Sequence, residues 1–72
     1  MPFPLRPGET QIELQQLLKA VGAADTGGGA KVAVQSGDVS VNGEVERRRS
    51  RKLVPGDVVL HAGRAWTVVP GT

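Results

Sequence analysis

The residues best suited to binding chemistry are five basic side chains in one short segment. Arg47, Arg48, Arg49, Arg51 and Lys52 place five positive charges within residues 47–52. Residues 1–46 hold three basic and six acidic side chains, and residues 53–72 hold one of each. The net charge of +2 therefore conceals a strongly polarised molecule. A concentrated cationic segment on a nearly neutral body is typical of proteins that bind a polyanion, most often nucleic acid.

The sequence offers no comparable support for catalysis or for metal binding. The chain has no cysteine, one histidine (His61) and seven scattered carboxylates. No candidate nucleophile has a base at a matching spacing, so we predict no catalytic residue, no metal site and no cofactor. Gly27-Gly28-Gly29 lacks the G-x-x-x-x-G-K-[ST] spacing of a nucleotide-binding P-loop.

Length and composition favour one small domain. The chain has 72 residues, of which 39% are apolar, and a chain of this size buries only about 60% of its unfolded surface. We expect an extended arm over residues 1–9, one domain over residues 10–69 and a tail over residues 70–72. No apolar run approaches the ~20 residues that cross a bilayer, and no signal pattern is present. We therefore predict a cytoplasmic monomer with no membrane partner.

A first helix is predicted over about residues 11–21. Thr10 and Glu13 have the spacing of a capping box, in which each side chain satisfies a backbone N–H of the other residue. Gly22 is well placed to end the helix, because glycine readily adopts a positive φ. The apolar residues that follow helical spacing are Leu14, Leu17, Leu18 and Val21.

A second helix is predicted over about residues 28–36. Ala30, Ala33 and Val34 repeat at helical spacing, and Gly37 can end the segment. Either Asp25 or Thr26 is expected to cap its amino end.

After residue 38 the pattern changes to that of short strands. Val39 and Val41 alternate with polar residues, and Asn42-Gly43 is a strong signal for a tight turn. Residues 54–57, Val-Pro-Gly-Asp, predict a second turn. Residues 58–61 and 65–69 read as two further strands, joined by residues 62–64. The predicted fold is α+β, with two short N-terminal helices packed on a small, mainly antiparallel sheet of about four strands.

Three segments together resemble the RNA-binding domain named after small-subunit ribosomal protein four, which contains the alpha-L motif. They are Thr-Gly-Gly-Gly-Ala-Lys at residues 26–31, Ser-Gly-Asp-Val-Ser-Val-Asn-Gly at residues 36–43 and Pro-Gly-Asp at residues 55–57. The resemblance covers roughly residues 10–69 and is greatest to the stand-alone YbcJ-like bacterial members.

The resemblance implies binding without catalysis to structured RNA, such as ribosomal RNA, tRNA-like structures or ribosomal particles. In that family the second helix and the following loop and strand form the RNA-binding surface. The residues of this chain expected to contact RNA are Lys31, Arg47, Arg48, Arg49, Arg51, Lys52, Gly28, Gly29 and Asn42. Many members carry two adjacent arginines in the second helix, where this chain has Lys31 and Val32. We hypothesise that the arginine run compensates for this difference.

Two other interpretations remain open. The arginine run would also suit a protein-interaction module with an acidic partner. A relationship to ubiquitin-like sulfur carriers has weaker support, since those proteins begin with a strand and need a C-terminal Gly-Gly. This chain is predicted to begin with helices, and it ends Pro70-Gly71-Thr72.

Overall fold

The computed structural model describes residues 1–23 and 27–71 and shows an α+β domain. Two helices cover one face of a five-stranded sheet, whose strand order is β1-β7-β6-β3-β4, and β2 pairs with β5 in a separate two-stranded sheet. The elements in chain order are β1 (Pro2–Pro4), β2 (Ile12–Glu13), α1 (Leu14–Ala20), α2 (Gly27–Gln35), β3 (Val39–Val41), β4 (Glu44–Val45), β5 (Lys52–Leu53), β6 (Val58–His61) and β7 (Arg64–Val69). Neither helix within these residues is long and apolar enough to cross a membrane.

The first strand corrects the predicted fold. β1 pairs in parallel with β7, with Pro2 opposite Thr67 and Pro4 opposite Val69, while the other strand pairs are antiparallel. The main sheet therefore has five strands rather than four, and β1 and β2 precede the helices. Because strands come first, the order of elements does not separate this chain from ubiquitin-like proteins.

The two prolines suit their place at the edge of the sheet. The N–H of Leu5 donates to the carbonyl of Val69, and the N–H of Thr67 donates to the carbonyl of Met1. Odd-numbered residues of this segment therefore face β7. Pro2 and Pro4 face the open side, where a missing N–H removes no hydrogen bond from the ladder.

A single apolar core lies between the helices and the sheet. Alternate residues of the central strands point into it, and so do the residues that repeat at helical spacing. Full burial of each Leu or Val side chain stabilises the fold by about 1.5–3 kcal/mol. The buried residues are Leu5, Leu14, Leu17, Leu18, Ala30, Val34, Val39, Val41, Leu53, Val59, Trp66 and Val68.

The first helix begins later than predicted. Ile12 and Glu13 pair with Leu53 and Lys52 as a short strand, so α1 can begin only at Leu14. A capping box is present, but it joins Glu13 to Gln16 rather than Thr10 to Glu13. The predicted end is confirmed, since Gly22 follows the helix with φ 75°.

The second helix agrees closely with its predicted range. It spans Gly27–Gln35, and Gly37 follows it with φ 85°. The N–H groups of Gly37 and Asp38 donate to the carbonyls of Val34 and Ala33, which closes the helix end. The predicted caps, Asp25 and Thr26, lie outside the described residues.

Candidate nucleic-acid interface

The arginine run forms a compact turn that is bonded to the first helix. The arginine run comprises residues 47–52; its arginines lie in the connection from β4 to β5, and Lys52 is the first residue of β5. The N–H of Arg51 donates to the carbonyl of Arg48 at 3.2 Å, which marks the turn. The N–H groups of Leu14 and Gln15 then donate to the carbonyls of Arg51 and Arg49, both at 2.9 Å. Because the run turns back on itself, its odd-numbered arginines do not share one face of an extended strand.

Glu46 precedes this turn and accepts hydrogen bonds from its arginines. Arg48 donates from Nε and Nη2 to the two carboxylate oxygens of Glu46, each at 3.2 Å. Arg51 donates from Nη1 to Oε1 of Glu46 at 2.8 Å. The backbone N–H of Arg48 also donates to Oε2, at 3.2 Å. One carboxylate therefore accepts hydrogen bonds from two guanidinium groups and from the backbone N–H of Arg48.

These contacts change the acid–base properties of the cluster. Hydrogen bonds from Arg48 and then Arg51 lower the pKa of Glu46 from 4.5 to about 2, although partial burial acts in the opposite direction. The same carboxylate raises the pKa of Arg48. Glu46 is 7% exposed, so the pair is shielded on the carboxylate side. At neutral pH the cluster holds two cations and one anion, a net charge of +1.

A second ion pair holds the end of the run. Lys52 donates from Nζ to Oε2 of Glu13 at 2.7 Å. This hydrogen bond, followed by one from Gln15, lowers the pKa of Glu13. The pair joins β5 to the start of α1, so the charge of Lys52 is largely compensated within the protein.

Three of the predicted contact residues keep uncompensated charges. Lys31, Arg47 and Arg49 are exposed, and none forms an ion pair with a carboxylate of residues 1–23 or 27–71. The guanidinium of Arg47 lies against Gly37, where an added Cβ would be 3.1 Å from Nη2. Arg47 is therefore beside the carboxyl end of α2. Lys31 lies in the same helix, four residues (about 6 Å) before its last residue.

The remaining predicted residues have other positions. Gly28 and Gly29 are exposed in the first turn of α2, at the opposite end of the helix from Arg47. Asn42 has φ 54° in the predicted tight turn. Its amide nitrogen donates to Oδ1 of Asp57 at 3.0 Å, and its amide oxygen accepts the N–H of Val58 at 2.9 Å. The Asn42 side chain thus ties two turns of the protein together.

Sequence reasoning did not identify the part played by Glu46. A sum of formal charges treats every carboxylate as solvated, and it cannot show which cations a carboxylate holds. The available signal was the position of Glu46 immediately before the run, within reach of basic residues two and five positions later.

The fold and the arrangement of basic side chains define a small basic domain of the alpha-L type. A family model described as the S4 domain matches residues 5–69. This chain therefore belongs to the S4 domain family. Membership of this family distinguishes the chain from the ubiquitin-like sulfur carriers, whereas the order of its elements does not.

Particular relatives can then be named. The chain is 43% identical over 58 residues to "Putative RNA-binding protein YbcJ" of Escherichia coli strain K12, covering 81% of this chain and 83% of the relative. It is 41% identical over 59 residues to "Probable ribosome maturation protein RlbA" of Bacillus subtilis strain 168, covering 82% and 83%. The solution structure of Escherichia coli YbcJ, described as revealing an alpha-L motif involved in RNA binding, matches with a TM-score of 0.69. That structure is 40% identical, and the match covers 94% of this chain and 85% of the other.

Proposed function

We propose that this chain binds structured RNA through phosphate contacts from the arginine run and the carboxyl-terminal half of α2, without catalysing a reaction. The position of the Arg47 guanidinium beside Gly37 carries the proposal, because Gly37 follows the end of the helix that bears Lys31. The description of the YbcJ structure as an alpha-L motif involved in RNA binding supports RNA as the ligand. The name of the Bacillus subtilis relative, a ribosome maturation protein, favours ribosomal RNA over other structured RNAs.

The free energy of binding would come mainly from the release of counterions. Folded RNA carries condensed cations, and each basic side chain that replaces one of them gains entropy for the system. Arg47, Arg49 and Lys31 are available without breaking an ion pair. Arg48 adds a fourth cation, since its side chain is 75% exposed although one edge of the guanidinium contacts Glu46. Four contacts predict a slope of log K against log salt of about −3.6.

Recognition of shape and phosphate is favoured over reading of individual bases. Proteins that read single-stranded RNA stack bases on exposed aromatic side chains. Trp66 is 4% exposed and lies in the core, and Phe3 is half-buried and packs against the core. A duplex or tertiary fold therefore suits this surface better than a single strand.

The test is an electrophoretic-mobility titration with ribosomal RNA fragments at several salt concentrations. The variant Arg47→Gln/Arg49→Gln removes two charges from the run. The control Arg6→Gln/Arg64→Gln removes two exposed charges elsewhere, so both proteins have the same net charge. We expect the first variant to lose about two units of the salt slope and at least tenfold in affinity. The control should bind within about twofold of the wild type.

Equal losses in the two variants would show that only net charge matters and would refute the proposed surface. Absence of binding to any structured RNA by the wild type would refute RNA binding itself. Retention of an acidic protein instead of RNA in a competition with both ligands would establish the protein-interaction alternative.

A further inference from the structure

Glu46 presents a paradox for a protein that binds a polyanion. It places a negative charge immediately before the most basic segment of the chain, in contact with two of its arginines, where it would repel phosphate. It is also the buried charged residue of the described chain, at 7% exposure. A carboxylate in this position must either compete with RNA for the arginines or help the arginines to bind RNA.

The contact geometry decides between these possibilities. A guanidinium carries five N–H donors on a rigid plane, so two of its edges can act at the same time. Arg48 uses Nε and Nη2 on Glu46. The other edge, with both hydrogens of Nη1 and the second hydrogen of Nη2, is left for an external acceptor. The Arg48 side chain is 75% exposed, so this outer edge is accessible to solvent.

Arg51, the second arginine bound to Glu46, is less exposed than Arg48. Arg51 contacts Glu46 through Nη1, and its side chain is 32% exposed. Glu46 therefore fixes two cations at different depths in one turn, and the cluster keeps a positive net charge.

Fixing these side chains before binding has a direct effect on affinity. A free arginine loses considerable rotational entropy when it is immobilised on a ligand. A side chain that is already held in the binding geometry loses much less, which is the general advantage of preorganisation. Phosphate is bound best by two parallel N–H donors, and that geometry depends on the orientation of the guanidinium plane.

We propose that Glu46 is a positioning residue for RNA binding, which orients the Arg48 guanidinium so that its outer edge binds a phosphate. Arg51 completes the cluster by donating from Nη1 to Oε1 of the same carboxylate. This inference rests on the proposed RNA-binding function and adds a residue that does not itself touch RNA.

The decisive variant is Glu46→Gln, because the two possibilities predict opposite signs. Removal of a negative charge should strengthen binding if Glu46 only repels phosphate or competes for the arginines. If Glu46 positions Arg48, binding should weaken about fivefold, and the salt slope should fall by about 0.9 because one phosphate contact is lost. The matched control is Glu44→Gln, an exposed carboxylate in the neighbouring strand, which should bind as tightly as the wild type or more tightly.

A second variant separates positioning from stability. Arg48→Lys keeps the charge at an exposed position but loses the two-edged donor geometry. We expect affinity to fall about as far as it does in Glu46→Gln, while the salt slope stays close to that of the wild type because lysine keeps the charge. The double variant should be no weaker than the weaker single variant, because both changes act on the same contact. A merely structural role for Glu46 would leave Arg48→Lys at wild-type affinity and would make the effects additive.

The outcomes are distinguishable. Wild-type binding with Glu46→Gln binding equally or more tightly, in a protein that is folded by circular dichroism, overturns the positioning role and leaves RNA binding intact. No RNA binding by the wild type overturns the proposed function itself. Weaker binding by Glu46→Gln with an unchanged salt slope also overturns the proposal, because no phosphate contact would then have been lost.

Discussion

The ionised state of Glu46 predicts a specific loss of stability in acid. Its pKa is lowered from 4.5 to about 2 by the hydrogen bonds from Arg48 and Arg51. A carboxylate with a lowered folded-state pKa stabilises the protein fully above its unfolded-state pKa. The stabilisation from Glu46 should therefore be complete above about pH 5 and should disappear progressively as the pH falls from 4.5 toward 2.

The magnitude follows from the same values. Lowering the pKa of Glu46 from 4.5 to about 2 corresponds to at most about 3.4 kcal/mol. The carboxylate is well shielded, with its side chain 9% exposed, but the Arg48 side chain is 75% exposed. Solvent screening of that partner reduces the contribution to about 1–2 kcal/mol. For a domain of this size, that difference corresponds to about 5–15 °C in Tm.

The assay compares urea or thermal unfolding of the wild type and Glu46→Gln between pH 7 and pH 2.5. Fluorescence of Trp66 can report the transition, since this side chain is 4% exposed in the folded protein. The difference in unfolding free energy should be largest at pH 7 and mostly lost at pH 2.5. Other carboxylates titrate in both proteins and cancel in the difference. Glu44→Gln, which removes an exposed carboxylate from the neighbouring strand, is the matched control for the loss of one negative charge.

A difference between wild type and Glu46→Gln that stays constant from pH 7 to pH 2.5 would refute this reasoning. It would mean that the Glu46 carboxylate stabilises the fold by packing or as a neutral acceptor rather than as the partner of two cations.

Three further predictions concern backbone positions with positive φ. Ala62 has φ 51° in the hairpin turn, so Ala62→Asn should raise the unfolding free energy by about 0.5–1 kcal/mol; a lower Tm by calorimetry would contradict this. Gly37→Ala should lower the unfolding free energy by about 1–2 kcal/mol, because φ is 85° and the new Cβ meets the Arg47 guanidinium. An unchanged urea midpoint would contradict this prediction. Asn42→Ala should lower the unfolding free energy by about 2 kcal/mol, because two side-chain hydrogen bonds are lost. A decrease below about 0.5 kcal/mol in urea unfolding would show that these hydrogen bonds contribute little.

Elements that depend on local backbone requirements were predictable from the sequence. Gly22 and Gly37 end the two helices because a helix end often needs a residue with positive φ. The Asn42-Gly43 turn has positive φ at both positions, as the dipeptide predicted. In each case the signal lies within a few residues of the feature.

Features that depend on distant residues were not predictable in this way. Strand β1 forms because Pro2–Pro4 meets β7, and no pattern within residues 1–9 indicates a partner so far along the chain. The start of α1 moves for a similar reason, since Ile12 and Glu13 pair with Leu53 and Lys52. Predictions from spacing alone placed the helix start too early.

The candidate site divides in the same way. The positions of the basic residues were evident from the sequence, and the structure places the Arg47 guanidinium beside Gly37, two residues after the end of the helix that contains Lys31. The pairing of Arg48, Arg51 and Lys52 with carboxylates depends on the turn and on the β2–β5 pair. The contacts of all these residues with RNA stay a prediction.

The parallel pairing of β1 with β7 has a consequence for how the protein is made. Pro2 and its partner Thr67 are separated by 65 positions, and the entropy lost on closing so large a loop makes such contacts slow to form. During synthesis, residues 2–4 must wait without a partner until residues 64–69 have left the ribosome. The helices and the β3–β4 hairpin can assemble earlier, so β7 completes the sheet late by pairing with both β6 and β1.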